Sequence, residues 1–262
     1  MFTNILGERI FFSNGNGSLK AGQQNVVFLH GAGMDHTVFV MPSRYFARHN
    51  LNVYAFDLPC HGRSKGKRCE SIDDFTDWLA SAMQELGILD AALVGHSMGS
   101  LIALNFAARH PDKTRALALL GTSTPMPVSE SLLTAAEESD HSAIDMANSW
   151  SHSHFGKLGG NEVPGVCMSM SGQRLLEKAP GSTFFSDLKA CNEYREGESI
   201  AKSVSSETLV IIGNQDKMTS PTNALKVAQN IPNSRVCRLE NCGHSMLSEK
   251  PNAVLDALIS IV

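Results

Sequence analysis

Short apolar runs rich in valine, leucine, isoleucine and alanine alternate along the chain with longer segments in which apolar residues recur every three or four positions. Continuous apolar runs are typical of parallel strands that are covered on both faces. Six such runs are predicted as strands: Val26–His30, Val53–Asp57, Ala92–His96, Ala116–Gly121, Thr208–Gly213 and Arg235–Leu239. Alternating strands and helices predict an α/β fold with a mostly parallel, doubly wound sheet and right-handed crossovers.

The clearest predicted helix runs from Ser71 to Leu86. Ser71 and Asp74 have the spacing of a capping box, and apolar residues recur along one face of the segment. The segments Met98–Arg109 and Leu247–Ile261 have a similar period and are predicted as helices. Near the N-terminus, the strong turn signal Asn14-Gly15-Asn16-Gly17 predicts a hairpin over Glu8–Lys20.

One region interrupts the alternation of strands and helices. Residues 122–206 contain no convincing buried strand, and helix-like pieces occur near Ser129–Asp140 and Ile144–Trp150. A structureless loop of this length is uncommon in a compact domain, so a helical insertion over one edge of the sheet is predicted. The 262 residues then divide into an α/β core, residues 1–121 and 207–262, and a helical cap (lid), residues 122–206.

The composition is that of a packed globule, since hydrophobic residues make up 42% of the chain. The net charge is −4 and no Lys/Arg-rich run occurs, which argues against nucleic acid or an anionic membrane as partner. No apolar stretch has the length of a membrane span, and Met1–Phe12 lacks the apolar centre of a secretory signal. We therefore expect a soluble, cytoplasmic monomer or homodimer that acts on a small molecule. The six cysteines lack metal-like spacing and are predicted to be free thiols.

Gly95-His96-Ser97-Met98-Gly99 is a G-x-S-x-G sequence that directly follows a predicted strand and opens a predicted helix. In this context the motif is typical of a sharp turn that exposes the serine hydroxyl. Glycine at positions 95 and 99 allows neighbouring backbones to approach where a Cβ would clash. The N-terminus of the following helix favours negative charge beside Ser97. Ser97 is therefore the candidate nucleophile, and the alternative is an ordinary glycine-rich turn.

A serine hydroxyl needs a base that takes its proton. Of the ten histidines, His244 is the candidate because it lies in a loop after a predicted strand, where open α/β sheets build their sites. Asp216 directly follows the fifth predicted strand and is the candidate acid that orients the imidazole. The order serine, aspartate, histidine along the chain fits this assignment. Asp57, Asp145 and Asp187 are the alternatives for the acid.

An oxyanion hole requires two main-chain N–H groups aimed at the charge that develops during the reaction. One donor is predicted at Met98, the residue after the nucleophile. The other is predicted in the loop after the first strand of the sheet, at the Ala32 amide, with Gly33 as the alternative. Because the donors belong to the main chain, the side chain of Ala32 is expected to matter little.

Several motifs follow one another in a characteristic order. They are His30-Gly31-Ala32-Gly33, Asp57-Leu58-Pro59-Cys60-His61-Gly62-Arg63-Ser64, Gly95–Gly99, Gly213–Asp216 and Cys242-Gly243-His244. In this order they resemble the α/β-hydrolase superfamily, in particular the esterases, lactonases and carbon–carbon hydrolases that carry a helical cap after the sixth strand. The resemblance covers nearly the whole chain outside the cap, and it is specific for the fold and the triad but not for the substrate.

The resemblance implies Ser97 as nucleophile, His244 as base and Asp216 as acid, with oxyanion donors at Ala32 and Met98. One position departs from the family pattern, because Cys60 stands where the family usually has glycine. The backbone of this loop is then expected to be less permissive, while the triad is unaffected. Cysteine is often buried and inert, so a buried small residue is predicted at Cys60 rather than a reactive thiol.

The predicted reaction is hydrolysis of an ester-type bond (carboxylic ester, lactone or thioester) in a small, partly apolar substrate through an acyl-enzyme. Substrate contacts are predicted at Gly33, Met126, Trp150 and Met218. The methionine-rich cap, to which Met126 and Trp150 belong, either lines a pocket or merely packs on the core. No metal and no cofactor are expected, because a serine triad needs neither. Activity is expected to fall as the pH drops through the histidine titration.

Fold and triad leave other functions open. The same triad serves carbon–carbon bond hydrolases and cofactor-free perhydrolases, and substrate profiling would distinguish them. A ligand-binding receptor on this fold would bind tightly with negligible turnover. A non-catalytic interaction protein would require a misaligned triad.

Overall fold

The computed structural model describes residues 1–160, 162 and 165–262. Eight strands form one sheet: β1 Phe2–Ile5, β2 Glu8–Ser13, β3 Asn25–Leu29, β4 Asn52–Phe56, β5 Ala91–His96, β6 Thr114–Leu120, β7 Glu207–Gly213 and β8 Ser234–Leu239. Their order is β1-β2-β4-β3-β5-β6-β7-β8. In the part of this order that runs β4-β3-β5-β6-β7-β8, all neighbouring strands pair in parallel. Strand β2 pairs antiparallel with both β1 and β4. The predicted α/β class, with a mostly parallel sheet, is confirmed.

Helices cover both faces of the sheet. The core helices are α1 Val40–Arg48, α2 Ile72–Glu85, α3 Met98–Arg109, α10 Pro221–Asn230, α11 Met246–Glu249 and α12 Pro251–Ile259. The helices between β6 and β7 are α4 Glu130–Glu137, α5 Ser142–Ser151, α6 His154–Lys157, α7 Met168–Glu177, α8 Thr183–Glu193 and α9 Gly197–Ala201. One apolar cluster packs α2, α3 and α10 on one face, and a second packs α1, α11 and α12 on the other. Both faces of the central strands are therefore buried, as their continuous apolar runs require.

The start of α2 shows how the sequence sets a helix boundary. The Ser71 hydroxyl accepts the Asp74 N–H at 3.0 Å, and the Asp74 carboxylate accepts the Ser71 N–H at 3.2 Å. This reciprocal pair satisfies two N–H groups that the helix leaves unpaired. The predicted capping box is confirmed, and Ile72, Phe75 and Leu79 are buried on the predicted face.

The hairpin predicted over Glu8–Lys20 is wrong. The observed hairpin joins β1 to β2 through Leu6 and Gly7, which both have positive φ, and Ile5 pairs with Glu8 across the turn. The turn at Asn14–Gly17 does form, since the Gly17 N–H donates to the Asn14 carbonyl at 3.0 Å, but it leads out of the sheet. The physical reason is that the other edge of β2 is already paired with β4.

The helix predicted over Leu247–Ile261 is divided in two. Proline lacks an N–H and clashes with the carbonyl four residues earlier, so it opens a new helix rather than continuing one. Pro251 is the first residue of α12, and Lys250 before it has the non-helical φ of −135°. The structure therefore ends α11 at Glu249.

The described part of residues 122–206, hereafter the inserted segment, contains six helices and no strand. The segment has its own apolar cluster, which includes Leu132, Leu176 and Leu188. Ala32 and Met218, from the loops after β3 and β7, pack against this cluster. The inserted segment therefore lies over the carboxyl ends of these strands, while its definition as a separate cap stays a prediction. Of the helices in the described residues, none combines the length and hydropathy needed to cross a membrane.

Candidate active site

Four loops meet where the central parallel strands end. Ser97 follows β5, Asp216 follows β7, His244 follows β8 and Ala32 follows β3. Because parallel strands present their carboxyl ends at one edge of the sheet, residues far apart in sequence lie together there. A cavity of about 210 Å³ opens at this edge, and Ser97, His244 and Ala32 line it.

Ser97 lies on a strained turn between β5 and α3. Its backbone has φ +55° and ψ −120°, which a side-chain-bearing residue rarely adopts. A Cβ on Gly95 would lie 2.1 Å from the Gly99 carbonyl oxygen, and one on Gly99 would lie 2.0 Å from the Leu29 carbonyl oxygen. Both glycines are thus required, as the motif predicts. Ser97 remains partly exposed while its neighbours are buried, so its hydroxyl can meet a substrate.

His244 is held by a buried carboxylate. Its Nδ1 lies 2.8 Å from Asp216 Oδ2, and both residues are less than 5% exposed. Since Nδ1–H donates to this carboxylate, Nε2 of the neutral ring carries the lone pair. The structure therefore brings a serine and an imidazole with a defined tautomer to one cavity.

The Asp216 carboxylate is itself fixed by the turn that follows it. Oδ1 accepts the N–H groups of Met218 and Thr219, each at 2.8 Å, and Oδ2 accepts the Thr219 hydroxyl at 2.7 Å. Burial alone would raise the pKa of Asp216, but the charge and hydrogen bond of His244 and the bonds from Thr219 lower it below its ordinary value. These partners therefore favour the charged form of the Asp216 carboxylate.

Thr219 is a site residue that the sequence did not reveal. Its hydroxyl lies 2.7 Å from Asp216 Oδ2 and 3.2 Å from His244 Nδ1, and it lines the cavity. A threonine three residues after the acid is a weak signal, because threonine is common in such turns. Its role becomes visible only when the histidine loop packs against it.

His96, in the serine motif, supports the main chain of His244. Its Nε2 lies 2.9 Å from the His244 carbonyl oxygen. Burial, and then the neighbouring His244, lower the pKa of His96 to about 3. The ring is therefore neutral and donates its Nε2–H to that carbonyl. The nucleophile turn and the histidine loop are tied together by this bond.

The main-chain groups expected in the oxyanion hole occupy different environments. Met98 opens α3, so its N–H is among those that no helical carbonyl accepts, and Ala32 lines the cavity. The Gly33 N–H instead donates to Asp187 Oδ2 at 2.8 Å. This bond leaves Ala32 as the better candidate of the two loop amides.

The residues proposed to contact substrate are only partly brought together. Met126, Trp150 and Met218 line the cavity beside Ser97. Gly33 does not, because its Cα faces α8, where a Cβ would lie 2.8 Å from the Phe184 ring. Within the methionine-rich inserted segment, Met126 lines the cavity, and Met146 packs against the segment's own apolar cluster.

The alternative acids each have another partner. Asp57 Oδ1 lies 2.6 Å from His36 Nδ1, Asp187 pairs with His61, and Asp145 pairs with His141. None of these carboxylates is among the groups that contact His244 in the described residues. Asp216 is thus the carboxylate that the fold places against the candidate base.

The sequence was also compared with known protein families, curated proteins and solved structures. Residues 26–257 match the model of the alpha/beta hydrolase family. The chain belongs to this family. The match spans the strands and loops that carry Ser97, Asp216 and His244. The recognition made from the motifs is confirmed.

Curated relatives of this α/β hydrolase include several hydrolases. The (E)-2-((N-methylformamido)methylene)succinate hydrolase of Acinetobacter baylyi is 32% identical over 111 residues, 42% of this chain and 40% of that protein. The pimeloyl-[acyl-carrier protein] methyl ester esterase of Chromobacterium violaceum is 41% identical over 99 residues, 38% of this chain and 37% of that protein. The chain thus matches about two fifths of the length of these relatives. The sn-1-specific diacylglycerol lipase ABHD11 of Mus musculus is 24% identical over 247 residues, 90% of this chain and 80% of that protein.

Among solved structures, the enol-lactonase from Burkholderia xenovorans LB400 has a TM-score of 0.86 at 18% identity, and the match covers 99% of this chain and 98% of that one. Est816, described as an N-acyl homoserine lactone degrading enzyme, has a TM-score of 0.85 at 21% identity over the whole of both chains. At such identities these similarities show the fold alone. Together with the family match, they support the α/β-hydrolase fold.

Cys60 of this α/β hydrolase does not fit the interpretation given for it above. The residue has φ +66°, the backbone region that favours the glycine usual in the family. It is half-buried rather than buried, and its thiol donates to the Gly66 carbonyl at 3.0 Å. The prediction of a buried residue is therefore wrong, because the loop turns the side chain toward its own backbone instead of the core.

All six cysteines are free, as expected. Cys191 lines the cavity and is a rival nucleophile by position. Burial, and then the nearby Asp187 carboxylate, raise the pKa of this thiol far above its ordinary value. Cys191 therefore stays protonated and is a poor nucleophile.

A cluster of Asp35, His36 and Asp57 offers three ligand atoms within 4.8 Å of one another. The Asp57 oxygens, however, already accept from the His36 N–H, His36 Nδ1 and the Arg63 N–H. These bonds explain the cluster as an internal hydrogen-bonded group that shapes the loop. It gives no reason to assign a metal to the site.

Gly121 makes room for the candidate base and was also missed by sequence analysis. It follows β6 with φ +56°, and a Cβ there would lie 2.9 Å from Nδ1 and Cε1 of His244. We expect Gly121→Ala to lower kcat by about 10- to 100-fold, because a displacement of about 1 Å at a reacting group has such effects. Steady-state kinetics on an ester will measure it.

Gly87→Ala is the matched control for this prediction. Gly87 has a similar φ of +67°, but a Cβ there would meet nothing within 4 Å. Both variants place alanine in the left-handed region, at a cost of roughly 1–2 kcal/mol in folding free energy. Equal kcat values for the two variants would contradict the role assigned to Gly121.

Proposed function

We propose that this chain is a serine hydrolase that cleaves an ester-type bond in a small, partly apolar substrate through an acyl-enzyme. The observation that carries the proposal is the meeting of Ser97, on its strained turn, with His244 in one cavity. His244 is in turn held at 2.8 Å by the buried Asp216 carboxylate. A reactive serine needs such a base, and the base needs an acceptor that fixes its tautomer.

In this mechanism Ser97 Oγ attacks the carbonyl carbon of the substrate while His244 Nε2 takes the hydroxyl proton. The tetrahedral oxyanion is stabilised by the amides of Ala32 and Met98. His244 then returns the proton to the leaving group, and the acyl-enzyme forms. A water molecule, deprotonated by His244, releases the acyl group. The first step requires His244 Nε2 to carry a free lone pair, because a protonated imidazole cannot take the serine proton.

The cavity sets the size and polarity of the substrate. Its volume is about 210 Å³, and its walls are mostly apolar, with Met126, Trp150 and Met218 among them. An apolar cavity of about 150 Å³ accommodates benzene. An acyl or alcohol group of about six to eight carbon atoms is therefore the expected occupant. Since these walls come largely from residues 122–206, we propose that the inserted segment serves as a cap that selects this group.

The names of several relatives favour ester chemistry over the alternatives. A methyl ester esterase and a diacylglycerol lipase are among them, and a lactonase shares the fold. Carbon–carbon hydrolysis and perhydrolysis use the same fold and remain outcomes of the test rather than proposals.

The test is turnover of p-nitrophenyl esters from acetate to decanoate, in parallel with labelling by a fluorophosphonate probe. We expect turnover, with the largest kcat/KM for acyl groups of about six to eight carbon atoms. Labelling without turnover of any ester would retain a competent serine but contradict the ester assignment. The absence of both labelling and turnover would contradict the serine hydrolase itself and favour a ligand-binding protein.

A pair of methionines tests the role of the inserted segment. Met126 lines the cavity, whereas Met146 packs in the segment's apolar cluster without lining it. We expect Met126→Ala to move the preferred acyl chain two or more carbon atoms longer, because about three heavy-atom volumes become free. Met146→Ala should lower the melting temperature while leaving the preference unchanged. Identical chain-length profiles for the two variants would contradict the proposed pocket.

A further inference from the structure

A second buried histidine–carboxylate pair lies outside the triad. Asp187, on α8 of the inserted segment, contacts two groups of the core. Its Oδ2 lies 2.7 Å from His61 Nε2 and accepts the Gly33 N–H at 2.8 Å. Asp187 and His61 are each about 1% exposed. One carboxylate oxygen thus joins the inserted segment to the loop that carries Ala32.

The neighbours of His61 define its protonation state. Nδ1 lies 2.9 Å from the Pro59 carbonyl oxygen, and Nε2 faces the Asp187 carboxylate. Both partners only accept hydrogen bonds, so both ring nitrogens must carry a proton. His61 is therefore an imidazolium, and the pair is a buried ion pair.

The bond to Gly33 fixes the peptide next to the candidate oxyanion donor. Gly33 has φ +67°, so the loop turns sharply at this residue. The Gly33 N–H belongs to the same peptide group as the Ala32 carbonyl. The direction of this peptide group therefore sets the orientation of Ala32 toward the cavity. Without an acceptor, a buried N–H would cost free energy and the turn would reorient.

We propose that Asp187 is a positioning residue which, together with protonated His61, orients the Ala32–Gly33 loop for oxyanion stabilisation. This inference rests on the proposed function, since it assigns Ala32 a role in hydrolysis. It makes the docking of α8 a requirement for catalysis. When His61 loses its proton, a lone pair faces either Pro59 or Asp187, the pair weakens, and the loop loses its orientation.

Other charged groups near His61 do not change this conclusion. Asp57, from the same loop, is engaged by His36 and Arg63. His30, whose ring centroid lies 4.8 Å from that of His61, is kept neutral, because burial and then His61 lower its pKa to about 3. The thiols of Cys69 and Cys191 are held protonated, because burial raises the pKa of each. From α2, the uncharged ring of Phe75 faces the ring of His61.

The pH at which the pair is lost follows from these contacts. Burial lowers the pKa of His61, but the charge and hydrogen bond of Asp187, and then Pro59 and Asp57, raise it above the ordinary value of 6.5. A group with a raised folded pKa stabilises the folded state fully below its unfolded pKa. This stabilisation is lost as the pH rises through the folded pKa of His61, so the effect belongs to the alkaline side of the pH profile.

The first experiment measures kcat and KM on a p-nitrophenyl ester. Asp187→Ala removes the acceptor, and we expect kcat to fall about 10- to 100-fold while KM changes less than about threefold, as for a loss confined to the transition state. Asp187→Asn keeps an acceptor oxygen for Gly33 and should restore most of kcat at a pH at which His61 is protonated. A folded Asp187→Ala variant with wild-type kcat would overturn the proposal.

The second experiment measures the pH profile of kcat. The wild type should show an alkaline limb, and the limb should vanish in His61→Gln, because the glutamine amide donates to Asp187 without titrating. In Asp187→Asn the limb should move to lower pH, because the amide stabilises the imidazolium less than the carboxylate does, which keeps the test available if Asp187→Ala does not fold. His141→Gln is the matched control, since His141 pairs with Asp145 and Glu177 in the inserted segment but is exposed. A limb that persists in His61→Gln, or is absent from the wild type, would overturn the proposal.

A measurement without substrate separates this inference from the proposed function. In the NMR spectrum of the substrate-free protein, we expect His61 to titrate above 6.5 and the Gly33 amide signal to move with the same midpoint. In Asp187→Asn the His61 midpoint should fall, and in His61→Gln the Gly33 signal should no longer follow that titration. If no ester is turned over but these shifts occur, the proposed function fails while the coupling stands. If the Gly33 signal ignores His61, the coupling itself is refuted.

Discussion

Ser97→Ala is expected to lower kcat/KM for any substrate by about 10⁴- to 10⁶-fold, the largest single effect in the chain. The variant removes the only atom that forms the acyl-enzyme bond in the proposed mechanism. It should fold normally, because alanine keeps the Cβ and the φ of +55° is no more strained than before. Steady-state turnover and melting temperature will be measured together.

Ser151→Ala provides the matched control for this loss. Ser151 lines the same cavity, but its hydroxyl donates to the Ala147 carbonyl at 2.7 Å and is engaged there. Its replacement should change kcat by less than about tenfold, and a fluorophosphonate probe should still label the protein. A Ser97→Ala variant that keeps wild-type turnover or labelling would place the nucleophile elsewhere.

The meeting of the three candidate triad residues could be predicted from the sequence for a simple physical reason. Each of these residues lies at the start of, or within, the loop after a parallel strand, and such strands end at one edge of the sheet, so strand prediction places Ser97, Asp216 and His244 near one another. Thr219 and Gly121 could not be found in this way. Their importance arises because the imidazole of His244 packs against them, which is a tertiary contact without a local pattern.

Asp187 illustrates the same limit over a longer distance. The sequence placed it in the insertion as an alternative acid, and its partner His61 is 126 residues away. The contact depends on how α8 lies over the loops of the core, which no local propensity determines. Pairing of a helix against a loop at such separation is a property of the packed fold.

The N-terminal hairpin shows how a local signal is overridden. Asn14–Gly17 is richer in glycine than the Leu6-Gly7 turn, and by turn chemistry alone it is the stronger signal. The pairing of β2 with β4, where Phe12 lies opposite Phe56, buries apolar side chains instead. Burial of these side chains therefore determines how the strands pair. The Asn14–Gly17 turn, despite its stronger local signal, leads the chain out of the sheet.

Asp216→Asn is expected to lower kcat by about 10⁴-fold while leaving the fold intact. Oδ1 of Asp216 accepts two main-chain N–H groups, from Met218 and Thr219, and an asparagine oxygen can replace it there. The amide NH₂ would then occupy the place of Oδ2 and point at His244 Nδ1. This arrangement favours the tautomer with the proton on Nε2, which cannot accept the proton of Ser97.

The pH profile and a second carboxamide variant make this prediction specific. Asp145→Asn removes an exposed carboxylate that pairs with His141, and it should leave kcat within about twofold of the wild type. Asp216→Asn should show the same KM as the wild type, because the substrate cavity is not lined by Asp216. If instead Asp216→Asn loses less than about tenfold in kcat, the fixed tautomer is not what activates Ser97. The acid would then have to be sought among carboxylates that reach His244 only after substrate binds, and Asp216 would be retained for its two main-chain bonds alone.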